Sequence, residues 1–151
     1  MTTSISSIIG QLFISANDNF ITEITLEKRE ESGTTPLLER AKSELDEYFK
    51  GLRKDFDLPL DLHNLTQFQQ KVLISCRKIP YGQTVTYADI ARDINSPKAS
   101  RAVGNALHNN PIMIVIPCHR VLAKNNIGGF GSGIEIKNKL LILESEQKTS
   151  S

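Results

Sequence analysis

In Ile114-Val115-Ile116-Pro117-Cys118-His119-Arg120-Val121 a cysteine closes an apolar, β-branched run and is followed at once by two basic residues. The thiolate is the reactive form of cysteine; positive neighbours favour it and apolar burial opposes it. Cys118 is therefore a candidate nucleophile, and equally a candidate small buried hydrophobe, as most free cysteines are. These eight residues leave both readings open. His119 could serve as the base a thiol needs. Neighbouring side chains diverge in extended backbone, however, so a water or a turn must join the pair.

The elements that must position this cysteine can be read from periodicity. Ile112 to Ile116 is too short and too β-branched for a helix and reads as a buried strand delivering Cys118 to its end. Upstream, Thr66 can cap a helix through Arg77 before Pro80 stops it. Cys76 falls in step with Phe68 and Val72 on that helix, which makes it a core residue. Thr86 to Ile94 and Pro97 to Asn109 read as two helices parted by Asn95-Ser96, the outline of a helix-turn-helix whose second helix carries Lys98 and Arg101. Many helical hairpins bind nothing, so the outline alone is a weak sign. Gly128 to Gly133 is a glycine-rich loop with no dinucleotide-binding strand before it. Ile136 to Glu146 reads as a last amphipathic helix, with Gln147 to Ser151 frayed beyond it.

Nearer the start, Leu12 to Ala16 and Phe20 to Leu26 flank Asn17-Asp18-Asn19 as a hairpin. Lys28 to Thr34 is a charged loop. Thr35-Pro36 then offers a cap and a first-turn proline for a helix burying Leu38, Ala41, Leu45 and Tyr48 and ending at Gly51. Residues 52–65 read as an extended linker. No catalytic constellation is visible in residues 1–60.

The chain's 151 residues, 39% of them apolar, suit one ordinary domain or two small ones with a real core. No apolar run nears the roughly 18 residues of a membrane span, and Met1 to Ser7 has neither a basic nor a long apolar stretch. A soluble intracellular protein is expected, cytoplasmic or, in a eukaryote, nuclear, with Cys76 and Cys118 as free thiols in a reducing compartment. The net charge of +1 hides an asymmetry: residues 1–70 hold seven Lys/Arg against twelve Asp/Glu, residues 71–151 eleven against five. A basic second half could face phosphate or merely water.

Read in order, Arg101-Ala102-Val103-Gly104, Asn110-Pro111, Ile116-Pro117-Cys118-His119-Arg120-Val121, Gly128-Gly129 and Lys137 with Leu140-Leu141-Ile142-Leu143-Glu144 resemble the methylated-DNA–protein-cysteine methyltransferases, which repair O6-alkylguanine. Further upstream the resemblance takes in Leu45 to Gly51, Phe56 to Asp61, Phe68-Gln69 and Ile79 to Thr84 before Tyr87. It implies an α+β fold: a small N-terminal α/β, ribonuclease H-like domain (residues 1–60), then a mostly helical, winged-helix-like alkyltransferase and DNA-binding domain with a helix-turn-helix (61–151).

The resemblance also implies roles. Cys118 takes the alkyl group, His119 is its water-linked base, Glu144 orients the histidine and Asn110 holds the local turn. Arg101 fills the gap left by a flipped nucleotide, Ala102 and Gly104 let their helix approach the minor groove, and Tyr87 turns the target phosphate and donates its hydroxyl to the guanine. Leu107, Val121, Phe130 and Gly131 wall the pocket, with the N–H of Gly131 aimed at the guanine oxygen. Lys137 matches a lysine near the active site. The partner implied is double-stranded DNA carrying O6-alkylguanine, met by a monomer without cofactor. Three departures stand out. Phe130-Gly131 replaces a common Tyr-Ser, Leu73 replaces a tryptophan of bacterial relatives, and the first domain lacks cysteines for a human relative's zinc, so no structural metal is expected. Competing readings are a non-catalytic alkyltransferase-like lesion binder, whose members replace the cysteine that this chain keeps, and a helix-turn-helix regulator with a redox cysteine. A cysteine hydrolase would need turnover and a differently placed partner.

Overall fold

A computed structural model describes residues 1–149 and divides them into two compact units, Met1–Leu62 with Pro111–Met113, and the remainder. The first unit is a three-stranded antiparallel sheet in the order β1 (Thr2–Ser7), β2 (Gly10–Ala16), β3 (Ile21–Thr25), with helix α1 (Pro36–Phe49). The β2–β3 hairpin forms as expected. Its turn is closed by Asn17, whose Oδ1 accepts from the N–H groups of Asn19 and Phe20, the local bonding that makes asparagine a turn residue. β1 was not anticipated: its polar Thr/Ser-rich face hides the alternation, and it is fixed by pairing Thr2 with Ser15 through Ser7 with Gly10.

The free edge of β3 is covered by two segments of irregular chain. Ile21 donates to Pro59 O and accepts from Asp61 N–H; Ile24 donates to Pro111 O and accepts from Met113 N–H. Part of the expected linker 52–65 is thus docked on the sheet, which satisfies backbone groups an edge strand would leave open. In α1, Thr35 caps Leu38 N–H, Pro36 opens the first turn, and Gly51 leaves the helix at φ 75°. Leu38, Ala41, Leu45 and Tyr48 are fully buried, as their spacing predicts.

The second unit contains α2 (Gln67–Arg77), β4 (Val85–Thr86), α3 (Tyr87–Asp93), α4 (Ser100–His108), a single 3₁₀ turn (Cys118–Arg120), β5 (Val121–Leu122) and α5 (Ile134–Thr149). Thr66 caps α2, and a reciprocal Thr86–Asp89 box caps α3. Cys76 is a fully buried core residue of α2. α4 begins three residues later than periodicity suggests, because Asn95 takes φ 61° and Ser96 and Ala99 close a turn of their own first. β4 and β5 pair in parallel over two residues, too briefly to mark the sequence.

The largest correction concerns residues 112–116. All five are buried, but they form no strand: Ile112 bridges to Ile24, and Ile114 takes φ 73°, an uncommon state for a β-branched residue. The chain turns there, and Cys118 opens the 3₁₀ turn instead of ending a strand. α5 is longer than the expected 136–146. Of the expected frayed tail, Gln147 to Thr149 continue the helix, whereas Ser150 and Ser151 lie outside the described residues. No helix among the described residues is long and apolar enough to cross a membrane.

Candidate active site

Asn110, just past α4, sets the position of the sulfur. Its Nδ2 donates to the carbonyl of Ile116 at 2.9 Å and to Cys118 Sγ at 3.2 Å, so one amide ties the turn and touches the thiol. Cys118 is only 7% exposed, yet it lines a cavity with Tyr87, Gly104, Leu107, His108, Gly129 and Phe130. The cavity is small, about 50 Å³. Burial pushes the thiol pKa up to about 11, with the Asn110 hydrogen bond and the Lys137 charge working the other way. Of the two opposing influences the sequence left open, burial is the larger, and both basic side chains spend their interactions elsewhere.

They spend them on Glu144. His119 Nε2–H donates to Glu144 Oε2 at 2.5 Å, while Arg120 donates through Nε to Oε1 at 2.7 Å and through Nη2 to Oε2 at 3.1 Å. Gly82 N–H adds a fourth donor at 3.2 Å, and Arg120 Nη1 is anchored on Ile79 O at 2.7 Å. Burial alone would raise the Glu144 pKa, but the bonds from His119 and Arg120 reverse this and hold it near 2. Burial dominates at His119 and lowers its pKa against the pull of Glu144. Nδ1 of the same ring is buried with no hydrogen-bond partner. A buried ring nitrogen left without a partner calls for an explanation, and it belongs to the residue next to the thiol.

Lys137 is fully buried on α5. Its Nζ donates to Val121 O at 2.7 Å and Gly129 O at 3.0 Å, joining β5 to the glycine loop, and lies 5.9 Å from the Tyr87 ring. Burial lowers its pKa to about 8. Tyr87 itself is held between glycines. A Cβ on Gly104 would stand 3.8 Å from its ring, and one on Gly128, at φ 77°, would stand 2.6 Å from its hydroxyl. Arg101 and Ala102 are exposed on α4, and helical spacing puts Arg101 on the face that carries Gly104 and His108.

Of the residues singled out from sequence, Cys118, Tyr87, Gly104, Leu107 and Phe130 share the cavity wall, and Asn110, His119, Glu144 and Lys137 stand behind it. Val121 is fully buried in the β4–β5 pair, and Gly131 packs against His108, where a Cβ would come within 2.8 Å of the carbonyl oxygen. Sequence reasoning missed three participants. Arg120 was read only as a neighbouring charge, His108 drew no notice at the end of its helix, and Gly82 acts through its backbone, which leaves no mark in a sequence. Among the described residues no group of three or more His, Cys, Asp or Glu is gathered as a metal site would require.

A cysteine lining a cavity walled by residues of the helix-turn-helix and the glycine loop, followed in the chain by a buried imidazole–carboxylate pair, defines a thiol-based group-transfer protein. The chain matches two family models, "6-O-methylguanine DNA methyltransferase, DNA binding domain" over residues 67–146 and its "ribonuclease-like domain" over residues 1–62. It belongs to the 6-O-methylguanine DNA methyltransferase family. It is 43% identical to a constitutive methylated-DNA–protein-cysteine methyltransferase of Bacillus subtilis, over 94% of this chain and 93% of that protein. A Haemophilus influenzae protein of the same name is 39% identical over 90% of this chain and 81% of its own length. The crystal structure of Mycobacterium tuberculosis OGT in complex with DNA superposes with a TM-score of 0.87 at 38% identity, covering 95% of this chain and 92% of that one.

Proposed function

We propose that this protein repairs O6-alkylguanine in double-stranded DNA by moving the alkyl group irreversibly onto Cys118. The observation that carries the reading is the Cys118 sulfur lining a cavity under the hydrogen bond from Asn110, with the next residue in the chain, His119, buried against Glu144. In the transfer an S–C bond forms as the C–O bond breaks. The thiol proton leaves by way of His119, through a water, and ends on the released guanine, so thiol and substrate balance the step without a cofactor. Glu144 holds the imidazole and Asn110 the turn.

The resting thiol is protonated at neutral pH, with its pKa near 11, so deprotonation belongs to the reactive complex. On this reading Arg101 enters the duplex from the minor groove to replace the flipped nucleotide, Ala102 and Gly104 allow α4 to come close, and Tyr87 meets the target phosphate and the guanine. Leu107 and Phe130 wall the base, fully buried Val121 supports that wall from β5, and the neighbouring Gly131 offers its N–H to the guanine oxygen. Residues 61–151 carry the chemistry and the DNA contact, residues 1–60 form a structural domain, and the protein works as a cytoplasmic monomer. A thioether cannot be exchanged away by thiols, so each molecule acts once.

Intact mass after incubation with DNA containing O6-methylguanine tests this. A single methyl increment mapped to Cys118, absent in Cys118→Ala, is expected. No change in mass would sink the reading and favour a lesion sensor.

A further inference from the structure

The carboxylate of Glu144 is saturated: Oε2 accepts from His119 and Arg120, and Oε1 accepts from Arg120 and Gly82. Its guanidinium partner is itself buried and fixed, 5% exposed, bonded to Ile79 O and lying 5.6 Å from the centre of the Tyr81 ring. We propose that Arg120 is a positioning residue for the alkyl transfer, clamping Glu144 so that His119 stays a neutral imidazole with Nε2 protonated and Nδ1 free to accept a proton. The proposal rests on the repair reading above and goes further into the same site.

The physical argument is one of charge. A lone buried carboxylate 2.5 Å from an imidazole draws a second proton onto the ring, because the pair is then ion-paired in a low dielectric. An imidazolium has no lone pair at Nδ1 and cannot accept the thiol proton. Burial already disfavours the imidazolium, and Arg120 offsets the pull of the carboxylate that remains, through its two hydrogen bonds to Glu144 and its positive charge. Its planar fork also stops the carboxylate from rotating away from Nε2. The other charged or titratable groups facing this centre are Lys137 on α5, which opposes protonation of His119; Cys118 in the same turn; Tyr81 before β4, next to Glu144 and Arg120; and Cys76 on α2, near Cys118 and Arg120. Among these Arg120 alone forks onto the carboxylate that the ring touches.

The test separates charge from geometry. In Arg120→Gln the acid limb of the rate of methyl transfer against pH is expected to move up by about one pH unit, the size of effect one neighbouring charge produces. In Arg120→Lys the charge remains but the fork is lost, so the limb stays and the rate plateau falls. Nitrogen NMR of histidine-labelled wild-type protein, with His119 assigned by its absence in His119→Gln, is expected to show Nε2 protonated and Nδ1 bare between pH 6 and 8. A folded Arg120→Gln with an unmoved acid limb overturns the proposal. So does wild-type His119 that is imidazolium, or protonated at Nδ1, at pH 7, and this measurement holds even if neither variant folds. Absence of transfer by the wild-type protein would instead refute the repair reading, and the NMR result is independent of it.

Discussion

Each unit of this protein buries a glutamate against at least one arginine, and the two clusters do different things. In the first unit Glu44 on α1 accepts from Arg40 at 3.4 Å and from Asp57 N–H at 3.0 Å, and stands 3.7 Å from Arg53. The side chains of Arg40 and Arg53 remain 46% and 28% exposed, so water shares their charge. In the second unit the partners of Glu144 are His119 at 0% and Arg120 at 6%. The first arrangement ties a helix to the loop after it. The second, cut off from water and set behind a thiol, has its interactions at full strength and leaves one ring nitrogen unmatched. Burial and an unmatched acceptor separate the second cluster from a simple clamp.

The contrast can be broken most directly by Glu144→Gln against Glu44→Gln. Removing the Glu144 charge strands a buried guanidinium, a loss of about 3–5 kcal/mol, whereas Glu44→Gln costs about 1 kcal/mol because its partners reach solvent. Urea midpoints read both, and equal losses would erase the distinction. The pH dependence sharpens it. The Glu144 pKa is lowered from 4.5 to about 2, so its stabilisation is present above about pH 4.5 and is lost as pH falls towards 2. The shift corresponds to about 3 kcal/mol. Wild-type and Glu144→Gln stabilities should therefore converge on acidification.

A smaller effect is expected from the reaction itself. An alkyl group on Cys118 must be housed beside a cavity of about 50 Å³, and overpacking of this kind costs about 1–3 kcal/mol. Melting before and after reaction with O6-benzylguanine should show a lower midpoint for the spent protein. An unchanged or higher one would mean that the site relaxes freely. Smaller still is Gly131→Ser. Its Cβ would meet His108 O at 2.8 Å, so the loop must retreat from α4, with a loss of about 1 kcal/mol and a changed ratio of benzyl to methyl transfer. An unaltered ratio would show that the loop does not define the pocket.

Legibility differed between the same two regions. In the first unit the helical stripe Leu38, Ala41, Leu45, Tyr48 and the Asn17 turn could be read directly, since each depends on near neighbours in the chain. β1 could not, because a strand of threonines and serines becomes a strand only against β2. In the second unit Cys118, His119, Asn110 and Glu144 were recognisable as an ordered pattern, but the reading of 112–116 as a strand failed. β-branched composition favours extended backbone locally, and here the Asn110 bonds to Ile116 and Cys118 and the left-handed Ile114 impose a turn instead.

By itself the sequence determined which residues were available for chemistry, the caps and stripes of the longer helices, and the family to which their order belongs, because these are properties of residue type and short spacing. Only the tertiary structure decided that burial outweighs the favourable groups at the thiol and that Arg120 faces a carboxylate and not the sulfur. It alone left the His119 Nδ1 without a partner. Those outcomes depend on burial and on distances between residues as far apart as Gly82, Arg120 and Glu144, which no local pattern encodes.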